Sequence, residues 1–181
     1  MSENGDTVQK AKELAQELAS RDVIILTGAG SGLPELVALE IWKNGKEVWG
    51  FPPTINPEEQ RQLYPGQNLK IYSRLFYIPK DYKFAKNVET SRKYRNVAST
   101  ATCDAGIIIA GRWGTMNEFT NLYDMGKVIG VLTGSGGVAD EIPNLVKKIS
   151  KESKASVIFN NSPKELLKEV ISELETRENQ L

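Results

Sequence analysis

Apolar positions along the chain alternate between two kinds of segment. Short continuous apolar runs are followed by longer stretches in which apolar residues recur every three or four positions. The first kind suits a strand buried on both faces, the second an amphipathic helix. Residues 7–20 carry Val8, Ala11, Leu14, Ala15 and Leu18 on one helical stripe, with Asp6 as N-cap. Val23–Leu26 is an apolar strand, and Leu33–Lys43 returns to helical spacing through Leu36, Val37 and Ile41. Asn44-Gly45 marks a turn and Glu47–Phe51 a short strand. Residues 52–66 form a loop-rich stretch bounded by Pro52-Pro53 and Pro65-Gly66, with a helical turn over Asn56–Arg61. Ile71–Ile78 is aromatic and extended, and Pro79 ends it. A connection this long is either a lid over a binding site or an excursion toward a second copy of the chain.

The second half repeats the alternation. Phe84–Thr102 reads as a helix whose stripe of Phe84, Val88, Ser91, Arg95, Ala98 and Thr102 turns Arg95 inward. An inward arginine needs an anionic partner. Arg92 and Lys93 fall on the solvated side. A run centred on Ile107, Ile108 and Ile109 stops at Gly111, and a helix follows over Thr115–Met125, closed by Gly126. Lys127–Leu132 is a further buried strand. The segment Asp140–Ile149 is a helix with Pro143 in its first turn. Ala155–Phe159 is the last strand, and Ser162-Pro-Lys-Glu165 caps a terminal helix through Glu175. This order predicts a single α/β domain over residues 1–181, three-layered, with a mainly parallel sheet and helices on both faces. Residues 1–6 are expected to be unstructured.

Three glycine-rich loops follow apolar strands: Thr27-Gly-Ala-Gly-Ser-Gly32, Gly111-Arg-Trp-Gly114 and Thr133-Gly-Ser-Gly-Gly137. In parallel sheets ligands bind at the strands' carboxyl ends, and a helix start there offers free N–H groups to an anion. The loops therefore point to a phosphorylated small molecule. Neither a P-loop nor the dinucleotide fingerprint is present. For the second loop a plainer reading stands beside this one, since Thr115-x-x-Glu118 is also a capping box.

Composition narrows the chemistry. The chain has no histidine, which excludes a Ser–His–Asp triad, a Cys–His pair and a His-ligated zinc from its own residues. Acid–base work falls to carboxylates, Lys, Tyr, the thiol or water. Lys plus Arg and Asp plus Glu balance at 23 each, so no basic field favours nucleic acid. No apolar run is long enough for a membrane span, the first residues are unlike a signal peptide, and the single Cys103 fits a reducing cytoplasm.

Thr27-Gly-Ala-Gly-Ser-Gly-Leu-Pro-Glu35, Arg95 and Gly111-Arg-Trp-Gly-Thr-Met-Asn-Glu118 together resemble the LOG family, Rossmann-like proteins often labelled lysine decarboxylases. The similarity runs from Val23 to Ile149, and the later Gly-Val-Leu-Thr-Gly-Ser-Gly-Gly resembles molybdenum-cofactor carrier proteins. The resemblance implies hydrolysis of the N-glycosidic bond of a nucleoside 5′-monophosphate. The alternative it leaves is a non-catalytic carrier of a nucleotide or of molybdenum cofactor. It implies Glu118 and Arg95 as catalytic residues; the plainer role for Arg95 is an ion pair with Glu118 that only orders the loop. Binding residues would be Gly28, Gly30, Gly32, Glu35, Gly111, Arg112, Gly114, Thr115, Thr133 and Gly134. No metal and no required cofactor is implied; an AMP-like nucleotide or molybdenum cofactor is the expected ligand. It also implies a homodimer or higher homo-oligomer. Four departures stand out: Ala110 replaces a proline, Arg112 a glycine and Asn96 a lysine, and the family's first strand is missing.

Overall fold

The computed structural model describes residues 5–149 and 151–180. The first half runs α1 (Gly5–Ala19), β1 (Ile25–Thr27), α2 (Leu33–Lys43), β2 (Val48–Gly50), α3 (Pro57–Leu63) and β3 (Arg74–Leu75). The second half runs α4 (Val88–Thr102), β4 (Ala105–Ile109), α5 (Trp113–Asp124), β5 (Val128–Leu132), α6 (Gly137–Lys148), β6 (Ser156–Asn160) and α7 (Pro163–Glu178). Every strand pair is parallel, so each connection crosses over through a helix or a long loop.

Side chains alternate across a strand, and β4 shows what this does to the layers. Ile108 joins Phe119, Leu122 and Ile142 of α5 and α6. Ile107 and Ile109 face the opposite way, onto the cluster built by α1, α2 and α7. The result is a Rossmann-like three-layer α/β fold. Its best-buried strand is β5, where Ile129, Val131 and Leu132 are fully enclosed. Each such side chain contributes about 1.5–3 kcal/mol of transfer free energy. The strands form two three-stranded sheets, β1-β2-β3 and β4-β5-β6, instead of one continuous sheet.

Several boundaries move for local reasons. Helix α1 begins at Gly5, so Asp6 sits inside its first turn and is not the N-cap; residues 1–4, also expected to be unstructured, lie outside the described residues. Helix α4 starts only at Val88, because the Asn87 side chain accepts the Thr90 N–H and caps it there. Its buried face is Ser91, Asn96, Ser99 and Thr100, whereas Thr102 is exposed. Of the Ile71–Ile78 run only Arg74–Leu75 pairs as a strand, after a short 3-10 turn at Leu69–Ile71. Helix α6 begins at Gly137, which places Pro143 in its interior and not in its first turn. Ser162 caps α7 as its sequence predicts.

Candidate functional site

The first turn of α5 tests the capping-box reading of the second glycine loop. The helix starts at Trp113, two residues before Thr115, and Arg112 is the N-cap without a side-chain hydrogen bond. Thr115 therefore lies inside the helix, and the capping box is not formed. The first α5 amide to bond within the chain is that of Met116, which donates to the Arg112 carbonyl at 3.0 Å. Among the described residues, the N–H groups of Trp113, Gly114 and Thr115 have no partner. Arg112 is exposed and Trp113 is 84 % exposed, so neither side chain is packed into the loop. Three unbonded amides at a helix start carry its positive dipole end toward solvent.

The loop is held in this shape from behind. Ala110 (φ 48°) and Gly111 (φ 93°) both adopt left-handed backbone. That conformation is strained for alanine. At Gly111 a β-carbon would also collide with the Thr115 side chain. The Ala110 N–H donates to the buried Ser135 hydroxyl at 2.8 Å, and the carbonyls of Ala110 and Gly111 accept from Ala139 and Val138 at 3.0 Å. Asn96, also buried, donates to the Asn117 side chain at 2.9 Å and to the Gly114 carbonyl at 3.4 Å.

Arg95 brings the first and second loops together. Its Nη1 lies 3.1 Å from Glu118 Oε1, one helix turn beyond the free amides. The same guanidinium rests against Gly28, where a β-carbon would collide with Nη1. Both side chains are largely buried, at 19 % and 29 % exposure. Burial pushes the Glu118 carboxyl above the usual carboxylate range, against the opposing pull of Arg95 and Lys93. The inward arginine thus has the anionic partner it needs, and that partner is the expected acid.

The first loop is clamped by the long connection that follows β2. Ala29 has φ 47°, and its carbonyl accepts from Gln60 Nε2 at 2.8 Å and Gln67 Nε2 at 3.0 Å. Gln60 is fully buried and also bonds Thr54 and Gln67. Gly30 faces the Tyr64 hydroxyl. A cavity of about 330 Å³ opens beside them, lined by Ser31, Glu35, Tyr64 and Gln67 among others. Gly32 is the N-cap of α2, and Glu35 lies in its first turn.

The third loop is different, and Thr133 and Gly134 do not offer amides to a ligand. The Thr133 N–H donates to the Asn160 carbonyl at 2.9 Å. Asp140 accepts from Gly134 N–H at 2.6 Å and Gly136 N–H at 3.0 Å. Its role is to buttress the second loop. Sequence reasoning missed Ser135, Asp140, Asn96, Gln60 and Gln67 as supports. Only Asp140 left a readable signal, a carboxylate shortly after a glycine loop at a helix start. No group of three or more His, Cys, Asp or Glu side chains suited to a metal occurs among the described residues.

The sequence model of the SLOG cluster4 family matches residues 1–167. No curated protein sequence matches the chain. Among solved structures, the structural-genomics target TM1055 is 20% identical with a TM-score of 0.73, over 93% of this chain and 88% of its own. The molybdenum cofactor binding protein of the phototrophic bacterium Rippkaea orientalis is 16% identical with a TM-score of 0.64, over 96% and 90%. DNA processing protein A (DprA) of Streptococcus pneumoniae is 15% identical with a TM-score of 0.66; 92% of this chain matches 57% of that one. At these identities the likeness establishes the shared fold.

Proposed function

The chain belongs to the SLOG cluster4 family, and from that premise we propose that it binds a nucleoside 5′-monophosphate and hydrolyses its N-glycosidic bond. The observation that carries the reading is the set of unbonded amides at Trp113, Gly114 and Thr115, next to a buried Arg95–Glu118 pair. The amides hold the 5′-phosphate. Water adds to C1′ as the C1′–N bond breaks, and the base leaves with a proton. Glu118, ionised, faces the positive charge that develops at C1′, as carboxylates do in glycoside hydrolysis. Arg95 is the clamp between the loops, its planar fork oriented by Glu118 and Gly28. Glu35 lines the neighbouring cavity, and with Gly30 and Gly32 of the same loop it meets the far end of the ligand.

A second reading keeps the site without turnover: a carrier of a nucleotide or of molybdenum cofactor. What favours it is the fold shared with a molybdenum cofactor binding protein, together with the direct 3.1 Å pairing of Arg95 to Glu118. Chromatographic release of free base from a panel of nucleoside monophosphates tests the first reading. Binding without release from any member of the panel replaces it with the second.

The proposal extends to a homodimer in the cytoplasm. Helix α4 buries polar residues and exposes Tyr94 and Val97, at 38 % and 46 %, with Phe84 exposed just before it. A helix that turns apolar side chains outward has a face to cover. Light scattering that shows only monomer rejects this arrangement.

A further inference from the structure

The cavity beside the first glycine loop joins apolar walls to a single charge. Leu63, Tyr64 and Pro65 come from the end of α3 and the turn after it, Ser31 and Glu35 from the first loop and the start of α2. Gln67 is a fixed polar wall: its Nε2 donates to the Ala29 carbonyl at 3.0 Å, and its Oε1 accepts from Gln60 Nε2 at 2.7 Å. Glu35 is not tied down in this way. Among the described residues no Lys or Arg pairs with its carboxylate.

An ionised carboxylate only accepts hydrogen bonds. An occupant that covered Glu35 without offering donors would strip its water and return nothing. The occupant therefore brings N–H groups to Glu35 and apolar faces to Leu63, Tyr64 and Pro65. A volume of about 330 Å³ lies at the lower end of ligand pockets and suits one planar base. The bases differ in what they offer. Adenine and cytosine carry a ring-nitrogen lone pair beside the amino group, and that lone pair would face one carboxylate oxygen. In guanine a ring N–H and an amino group stand side by side, one donor for each oxygen. A pterin has the same edge.

We infer that Glu35 reads this edge, so that the cavity selects a fused two-ring base whose ring N–H adjoins an amino group, as in guanine and the pterins. The inference rests on the phosphate docking at α5 proposed above. The first loop links the two places, since Gly28 lies against Arg95 and Ser31 and Glu35 follow at the cavity. It holds with or without turnover, because the base is recognised before any bond is broken.

Calorimetry with GMP, AMP and neopterin monophosphate, on wild type and on Glu35→Gln, is the test. The variant keeps the side chain's shape and replaces one acceptor with a donor. GMP should bind wild type about tenfold or more tighter than AMP, as expected where a paired polar edge is read. In Glu35→Gln that preference should vanish while AMP affinity stays within about threefold, which also shows that the variant is folded. Equal affinities for GMP and AMP in wild type overturn the inference and leave the phosphate site standing. A GMP preference that survives in Glu35→Gln overturns it too, as does a loss of AMP affinity equal to that of GMP. Binding of neopterin monophosphate alone, weakened about tenfold in the variant, supports the edge, assigns it to a pterin and rejects the nucleotide reading. If none of the three binds, the phosphate site and the inference fall together.

Discussion

The loop after β4 and the loop after β5 look alike in sequence: each follows an apolar strand, contains two or more glycines and leads into a helix. In space they have opposite roles. At the start of α6 Asp140 takes the Gly134 and Gly136 amides, and Ala139 and Val138 donate to the carbonyls of Ala110 and Gly111. At the start of α5 nothing among the described residues takes the first three amides. The difference is a single kind of residue. A carboxylate placed to reach back over a glycine loop satisfies its donors internally, and a loop without one keeps them for a ligand. Glycine content alone does not leave amides free for an anion; the missing acceptor does.

The largest effect expected from this contrast is on turnover. Glu118→Gln keeps the shape of the side chain and removes its charge, so base release should fall by about 10²-fold or more. Ligand affinity should change little, since the amides that hold the phosphate are untouched. Turnover within a few-fold of wild type removes Glu118 from the chemistry and with it the hydrolase reading. Next in size is Gly114→Val. A β-carbon at Gly114 meets nothing within 4 Å, so the fold has room for a side chain there. Affinity for AMP should drop at least tenfold while Tm stays close to wild type. An unchanged dissociation constant by calorimetry means that no phosphate docks at this helix start.

A smaller effect is expected from the other loop. Asp140→Ala leaves the Gly134 and Gly136 amides without their acceptor and should cost about 1–2 kcal/mol, as the loss of a capping side chain does. For a chain of this size that is a fall of about 2–8 °C in Tm. AMP affinity should stay within about threefold. If it falls as far as in Gly114→Val, the third loop holds ligand after all and the contrast between the two loops is wrong.

The parts of this molecule that were legible in its sequence are the parts set by local periodicity. The buried strands, the order of helices, the Ser162 cap and the inward turn of Arg95 follow from spacing, and each needs only neighbours along the chain. The pairing of Arg95 with Glu118 was one of the roles open to that arginine in the sequence, since an inward guanidinium needs an anion and Glu118 was at hand. What was not legible depends on residues distant in sequence. Gln60 reaches Ala29 across 31 positions and Ala110 reaches Ser135 across 25. Nothing in a glutamine of a short polar helix announces that it will be buried under a glycine loop. The division into two sheets is of the same kind. Ile25–Thr27 and Ala105–Ile109 are both ordinary strand sequences, and nothing in either announces that they fall in separate three-stranded sheets.

The smallest predicted effect separates the acids of the two loops by their burial. Glu118 is held above the ordinary carboxyl value of 4.5 chiefly by desolvation, which outweighs Arg95 and Lys93. A group whose folded pKa is raised binds its proton more tightly in the native state than in the unfolded one. Its contribution to stability is therefore fully present below the unfolded pKa and is lost as pH rises through the folded pKa. Glu118→Gln cannot titrate, so wild type should lose stability relative to this variant as pH rises from about 4 toward neutrality, with a small total change. Urea unfolding midpoints of the two proteins across that range measure it. A difference that stays flat, or that runs in wild type's favour with rising pH, means that Arg95 controls the carboxyl and burial does not. Glu118 would then be ionised throughout that range as the fixed partner of Arg95.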